Sequence, residues 1–594
     1  RAISCSCDYN SLHRVLIATI RGSKGNCPCP RCFTPRTLFG RLGTTLDLST
    51  RWKRVRQYFA HKVAVARRAI YTLGVPIKGA AVERLLKEFS MVPTANAFVE
   101  RLSPHGFDIF PALVVDILHE FELGVWKAVL KHLIRILYAI DPDLVAELDN
   151  RFRSISPFGK GGIRRFPKNV SALTRRAARD FEDILQGSLQ CAIPTFERMF
   201  PEKHDDIIRT LLFRLAEWHA LAKLRLHSDD SLDRLTHALK KLGTELRRFC
   251  DFTCSEIKTM ELPQEVNARI RRSSKDGLQP TSDPVAKKSG PRPKTFNLLT
   301  YKLHALGDYV ASIKLFGSTD SYTTQLGELA HRLIKKFYAN TNKRNVSQQL
   351  AKQERRHTRM RRQMGTEIKG HVESVPALTP ELHHNLSDAP SNVINLASFF
   401  NDHREDPAVK DHLLSRLYGF AYDGDEHQFT ETEHTELRFL NGINRIYQPK
   451  RFQVNYTTYD IRRDQDTMRP GHNSTVMTLS REDGQGAHPF WYARVLRAFH
   501  IDVLHVGPNA RVSSPQTMEF LWVRWLGVVP NYRWGFKEAR LPKVGFVSEK
   551  DDHAFGFLDP SLVIRGCHLI PAFADARTDS LLRPGPSIGR LHGE

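Results

Sequence analysis

The apolar residues of this chain keep two different periods, and the change between them limits what the chain can fold into. From residue 170 to 255 they recur at helical spacing, and Leu232, Leu235, Leu239, Leu242, Leu246 and Phe249 form one stripe. Asp229 and Asp230 stand near its start, and the stripe reads as core or helix–helix contact without a functional role. From residue 488 the texture becomes β. Phe490–Phe499, Met518–Leu526, Gly545–Val547 and Leu562–Ile564 are short runs separated by Gly, Pro and Asn. Residues 486–580 are expected to form a small β-barrel-like domain holding Trp491, Tyr492, Trp522, Trp525 and Trp534. The fold class expected is α+β and multidomain, since 594 residues allow about three to five domains.

Between these halves the chain is basic and polar. Residues 263–295, with Ser273, Ser274, Pro280, Pro284, Gly290, Pro291 and Pro293, read as a flexible linker. Eight Lys/Arg between Arg269 and Lys294 make it a candidate nuclear-import or phosphate-contacting segment. Helical spacing returns over 296–365. Between Gln325 and Gln363 there are eleven Lys/Arg against Glu328 and Glu354. That excess exceeds what a helix dipole uses and favours phosphate binding. Residues 366–485 show no period and read as an irregular connector.

The whole chain carries 88 Lys+Arg against 64 Asp+Glu, a formal charge of +24, which points to a polyanionic partner. No apolar run reaches roughly 18 residues, which excludes a membrane-spanning helix. Nine cysteines form no even framework, and Cys5, Cys7, Cys27, Cys29 and Cys32 crowd the first 32 positions, so metal binding in a reducing compartment is expected. Cys29 and Cys32 have the C-x2-C spacing that presents two thiolates to one tetrahedral Zn²⁺. Asp116 and His119, three apart on one helix face, are the expected remaining ligands. The alternative is a pair of free thiols in a turn and a capping histidine. Glu328 precedes the basic helix, where it would either hold a divalent metal over a phosphate or join a surface ion pair. Phosphate-loop, zincin and serine-esterase motifs are absent.

Three stretches together resemble a known group. Cys27-Pro-Cys29-Pro-Arg-Cys32, Asp116-Ile-Leu-His119-Glu-Phe-Glu-Leu-Gly-Val-Trp126 and Tyr301-Lys-Leu-His304-Ala-Leu-Gly-Asp308-Tyr309 are similar to fungal CACTA-like transposases of the Plavaka type, related to Kyakuja-Dileera-Zisupton elements. Thr319–Tyr322, Gly327-Glu328, His331-Arg332 and the tail Phe557–Pro571 extend the likeness over almost the whole chain. The resemblance implies an RNase H-like core, partial in residues 1–119, interrupted by a helical insertion over 120–262 and completed by the basic segment 296–365. It implies two Asp and one Glu holding two Mg²⁺ (or Mn²⁺) ions for DNA strand cleavage and transfer at transposon ends in the nucleus. Asp8 resembles the second aspartate and Glu328 the closing glutamate, while Asp116 and His119 match a D-x2-H motif. The first aspartate belongs on an earlier strand, and only seven residues precede Asp8. The chain is therefore read as N-terminally incomplete and inactive as given. Asn10 also stands where the group carries proline after Asp-Tyr.

The function expected is a transposase-derived protein that binds double-stranded DNA, with self-association as a further expectation. The candidate phosphate contacts are Arg332, Lys335, Lys336, Arg355, Arg356 and Arg359. The alternative is a non-enzymatic DNA- or chromatin-binding module using an aromatic cage around Trp522 and Trp525.

Overall fold

The computed structural model describes residues 10–159, 163, 165–166, 169–172, 189–275, 290–369, 383–386, 392–396, 398–399, 406–419, 427–440, 445–471, 474–482, 487–575, 580–583, 585 and 587–590. Asp8, Cys5, Cys7 and residues 276–289 of the expected linker lie outside them. The chain is α+β and divides into two units, Arg1–Phe152 with Lys168–Ala377, and Arg153–Pro167 with Leu378–Glu594. No helix among the described residues is long and apolar enough to cross a membrane.

The first unit is helical. Its elements include α1 (Asn10–Ile17), α2 (Thr45–Lys53), α3 (Ile117–Trp126, wound as a π-helix), α4 (Lys127–Ile140), α5 (Glu202–Ala222) and α6 (Asp229–Arg248). Ser228 starts α6 because its hydroxyl accepts the Ser231 amide and the Ser231 hydroxyl accepts the Ser228 amide, satisfying two orphan donors. Asp229 and Asp230 then sit in the first turn, where the helix dipole favours negative charge. The leucine stripe of α6 is buried along its length, as its spacing requires, and α5 packs against it. Gly243 on α6 serves a second neighbour. A Cβ there would lie 2.1 Å from the Leu42 carbonyl oxygen, so only glycine admits the backbone that follows the 3-10 turn Arg36–Arg41. That turn presents Phe39, whose ring stacks on His304 at 4.1 Å.

Residues 263–275 correct the linker expectation, because they form helix α7 (Pro263–Lys275). Proline suits the first helical position, and the Glu265 carboxylate accepts the Leu262 amide while pairing with Arg135 at 2.6 Å and with Lys131. Next come α8 (Tyr301–Ala305), α9 (Gln325–Ala339) and α10 (Val346–Lys369). Strand pairing among the described residues of this unit is limited to β1 (Thr259–Met260) with β2 (Pro293–Lys294), plus bridges from Ile20 to Met91 and Cys32 to Val55. The multi-stranded sheet of an RNase H-like core is not among them.

The second unit draws strands from the stretch expected to be an irregular connector. They are β3 (His384–Leu386), β4 (Val393–Asn395), β5 (Leu437–Phe439), β6 (Arg445–Tyr447), β7 (Phe452–Thr457), β8 (Arg463–Met468) and β9 (Thr475–Leu479). The same stretch supplies helix α11 (Asp406–Tyr418). Then β10 (Phe490–His505) and β11 (Gln516–Val528) form a long antiparallel hairpin, followed by β12 (Val544–Phe546), β13 (Phe555–Leu558) and β14 (Arg565–Cys567). The hairpin is buried on both faces. On one, Phe499, Ile501, Phe520 and Trp522 meet Leu413 and Leu414 of α11. On the other, Val495, Leu521 and Val523 meet Phe452, Val454 and Met468 of the small sheet β3-β7-β8. The barrel expectation is corrected accordingly. The described strands do not close on themselves, because each hairpin face is covered by a separate layer. Ser156 and Phe158 belong here too, with the Ser156 carbonyl accepting from His568 Nε2 at 2.8 Å. Trp522 is core, stacked on Phe555 at 5.8 Å, and is unavailable for an aromatic cage.

The backbone contact at Gly243 makes a direct prediction. Gly243→Ala should destabilise the first unit by about 1–3 kcal/mol, the range for overpacking, despite the better helix propensity of alanine. Chemical denaturation should show a lower midpoint; an unchanged or higher one would mean the turn does not pack on α6 as described.

Candidate functional site

The turn from Cys27 to Cys32 contains Pro28 and Pro30. Two prolines remove two amide donors and hold the chain extended, so the turn's carbonyls must be satisfied from elsewhere. Arg56 does this. Its buried guanidinium donates to the carbonyls of Cys27 at 2.6 Å, Cys29 at 2.7 Å, Cys32 at 3.2 Å and Phe89 at 3.0 Å. It lies over the Phe33 ring at 4.5 Å. Thus fastened, the turn directs two sulfurs into the unit, where His304 of α8 meets them. The ligand atoms of Cys29, Cys32 and His304 all lie within 4.8 Å of one another, and all three residues are buried. Cys32 Sγ is 3.3 Å from His304 Nε2. This group could hold a metal such as zinc. Cys27 does not join it, since its thiol donates to the Phe33 and Glu88 carbonyls at 3.4 and 3.7 Å.

The proton distribution follows from the packing. Burial pushes the Cys29 thiol well up, whereas a hydrogen bond from Cys29 brings Cys32 down to about 7 against its own burial. Around the pair runs a buried ionic chain. Arg51 on α2 reaches Asp47 at 3.0 Å, Asp308 at 2.8 Å, and the Nδ1 and carbonyl oxygen of His304 at 2.8 and 2.7 Å. Arg31, next to Cys32, donates to the other oxygen of Asp308 at 2.8 Å. Burial opposes ionisation of Asp308, but Arg51 and Arg31 outweigh it and hold the carboxyl well below the usual range.

A second network lies at the start of α3. Arg14 of α1 donates to Glu120 Oε1 at 2.5 Å, and the Tyr301 hydroxyl donates to the same oxygen at 2.8 Å. Glu120 Oε2 accepts the Asp116 amide at 3.1 Å. Asp116 Oδ2 lies 2.7 Å from His119 Nδ1, and the Thr324 hydroxyl, just before α9, donates to Asp116 at 2.9 Å. Burial works against the Asp116 carboxylate, but the His119 hydrogen bond and the charge of Arg14 hold it below its ordinary value. Farther along α3, Glu122 is pushed up by burial, with His219 and Lys223 of its surroundings at 3.2 and 3.4 Å.

The structure therefore brings the expected residues together in a different grouping. Cys29 meets Cys32, and Asp116 meets His119, but the two pairs do not form one four-ligand site. The place expected for His119 beside the thiols belongs to His304, and the Asp116 oxygens are taken by His119, Thr324 and the nearby Arg14. Glu328 sits on α9 one turn beyond Thr324, and α1 begins two residues after Asp8. The side chains of Glu328 and Arg332 and the whole of Asp8 lie outside the described residues. Lys335, Lys336, Arg355, Arg356 and Arg359 are exposed on α9 and α10, which touch through Phe337 and His357 at 5.7 Å. None of these five cations is ion-paired with a described residue. His304, Arg51, Arg56 and Glu120 were not marked by local spacing. The only signal for His304 is its place in the 301–309 stretch that carries the family likeness.

Comparison with protein-family models, with curated proteins and with solved structures finds no match.

The buried pairs set a stability test. Removing one partner, as in Arg14→Met, leaves Glu120 without its closest cation and should cost about 3–5 kcal/mol. Asp116 and Asp308 have folded values below the ordinary one near 3.9, so their stabilisation is complete above about pH 5 and declines as pH falls further. Denaturation midpoints should fall steeply on the acid side, and Asp308→Asn should flatten that fall while lowering stability at neutral pH. An unchanged acid limb in Asp308→Asn would contradict the pairing.

Proposed function

We propose that this chain is a transposase-derived protein that binds double-stranded DNA, with DDE-type strand cleavage and transfer as its ancestral chemistry. The observation that carries the reading is the convergence on Asp116 of three segments: α1, which follows Asp8, contributes Arg14; α3 contributes His119 and Glu120; and the start of α9, which bears Glu328, contributes Thr324. Helix α1 and the start of α9 are thus tied to one buried anchor, and in this reading they are the segments that adjoin the candidate carboxylates Asp8 and Glu328, which are over 300 positions apart in the chain.

The oxygens of Asp116 and Glu120 are already engaged by Arg14, Tyr301, His119 and Thr324, so these two carboxylates serve as the anchor and leave Mg²⁺ or Mn²⁺ to Asp8 and Glu328. Such ions supply an activated nucleophile and a stabilised leaving oxygen on a phosphodiester. In this reading the α9–α10 cations meet the DNA backbone, and their contribution is sequence-independent. An RNase H-like ancestry for the first unit and a nuclear location belong to the same reading.

Binding of duplex DNA at graded salt tests the proposal. Ala substitutions at Lys335, Arg355, Arg356 or Arg359 should each weaken binding and lower the slope of log K against log salt by about 1. Insensitivity to all four would remove the basic helices from the interface. Mg²⁺-dependent nicking, scored in parallel, separates the chemistry from the binding. Nicking lost in Glu328→Gln supports the catalytic assignment, whereas binding without nicking favours the non-enzymatic DNA-binding reading, which the exposed cations alone would suffice to support.

A further inference from the structure

We propose that Cys29, Cys32 and His304 hold one zinc ion, and that this ion ties the cysteine turn to helix α8 across the whole helical region between them. Zn–S and Zn–N bonds of about 2.3 and 2.0 Å at tetrahedral angles require ligand atoms roughly 3.5–3.8 Å apart. The observed separations, 3.3 Å for Cys32 Sγ to His304 Nε2 and under 4.8 Å throughout, need only small side-chain adjustments to reach that geometry. Two thiolates and an imidazole select zinc over the hard cations, which take oxygen.

Two further features suit a metal. The Arg31 amide donates to Cys29 Sγ at 3.4 Å, a contact that stabilises a thiolate. Charge is the second: two buried thiolates alone would add two negative charges to this interior, which is expensive, whereas two thiolates with Zn²⁺ add no net charge.

Coordination through Nε2 places the histidine proton on Nδ1, which then needs an acceptor. Arg51 now faces that nitrogen, and Asp47 Oδ1 lies 3.9 Å from it. Asp47 is the carboxylate that can take the proton as Arg51 keeps its bonds to Asp47 Oδ2 and the His304 carbonyl. Asp47 is thus a positioning residue for the metal. Among the described residues the protein supplies three ligands. Because Cys32 and His304 are 272 positions apart, the ion closes a very long loop. Tyr301 on the same helix reaches Glu120, so zinc also steadies the network at α3.

The site is independent of DNA binding, and its test uses metal content. Full-length protein purified under reducing conditions should contain about one zinc per chain. Cobalt exchanged into it should give intense thiolate-to-cobalt absorption and tetrahedral d–d bands. Cys29→Ser, Cys32→Ser and His304→Ala should each lose the stoichiometric metal, while Cys27→Ser and His119→Ala keep it. Asp47→Asn leaves every ligand in place and should weaken zinc about 10–100-fold in chelator competition, which keeps the test usable if a ligand variant does not fold. Folded zinc-free protein that takes up no cobalt, a Cys29–Cys32 disulfide under reducing conditions, or full retention of metal in His304→Ala would overturn the assignment.

Discussion

Arg51 is the contact on which the first unit depends. A guanidinium buried this deeply is tolerable only when its hydrogens are used, and Arg51 spends them on Asp47, on Asp308 and on the carbonyl oxygen of His304. Asp47 lies one turn away on the same helix, but His304 and Asp308 come from a segment more than 250 positions later. The interaction therefore decides where the chain returns after its helical region. Arg31 repeats the arrangement from the cysteine turn, so Asp308 is gripped from both sides. Gly243 and Phe39 support the same point from the apolar side, one by admitting a backbone and the other by covering the His304 ring.

With that point held, the two polar networks become neighbours through helix α8. His304 faces the thiols and Tyr301, less than one turn earlier, faces Glu120. Changes at the cysteine turn have a short path to the start of α3. The π-wound α3 places His119, Glu120 and Glu122 in the interior together beside Asp116, which precedes it, where an α-helical winding would spread them differently round the axis. Their partners are Arg14, in the last turn of α1, and Thr324, just before α9. The buried carboxylates are saturated with donors, which makes them anchors.

The second unit follows a simpler physical rule. Strands β10 and β11 are apolar on both faces over much of their length, and such strands must be covered twice. The covering elements, α11 and the β3-β7-β8 sheet, come from residues whose short polar strands hide their period. This is why the hairpin was legible in sequence and its cover was not. A closed barrel would bury only one face of these strands against a common interior.

What the sequence by itself determined is local: the leucine stripe of α6, the β texture from residue 490, the cationic helices, and the C-x2-C turn with its paired prolines. Each depends on residues within a few turns, where spacing alone fixes which side chains share a face. Asp116 and His119 do meet, but Asp116 precedes α3 with an extended backbone, so their contact is not that of two residues on one helical turn. The tertiary structure decided the partners across long separations. It gave the thiols His304 in place of His119, took up the Asp116 oxygens with Thr324 and His119, and turned residues 263–275 into a helix fastened to α4. Those choices rest on buried charge seeking a partner of opposite sign and on backbone groups seeking donors, conditions that exist only once water has been excluded and that no local pattern encodes.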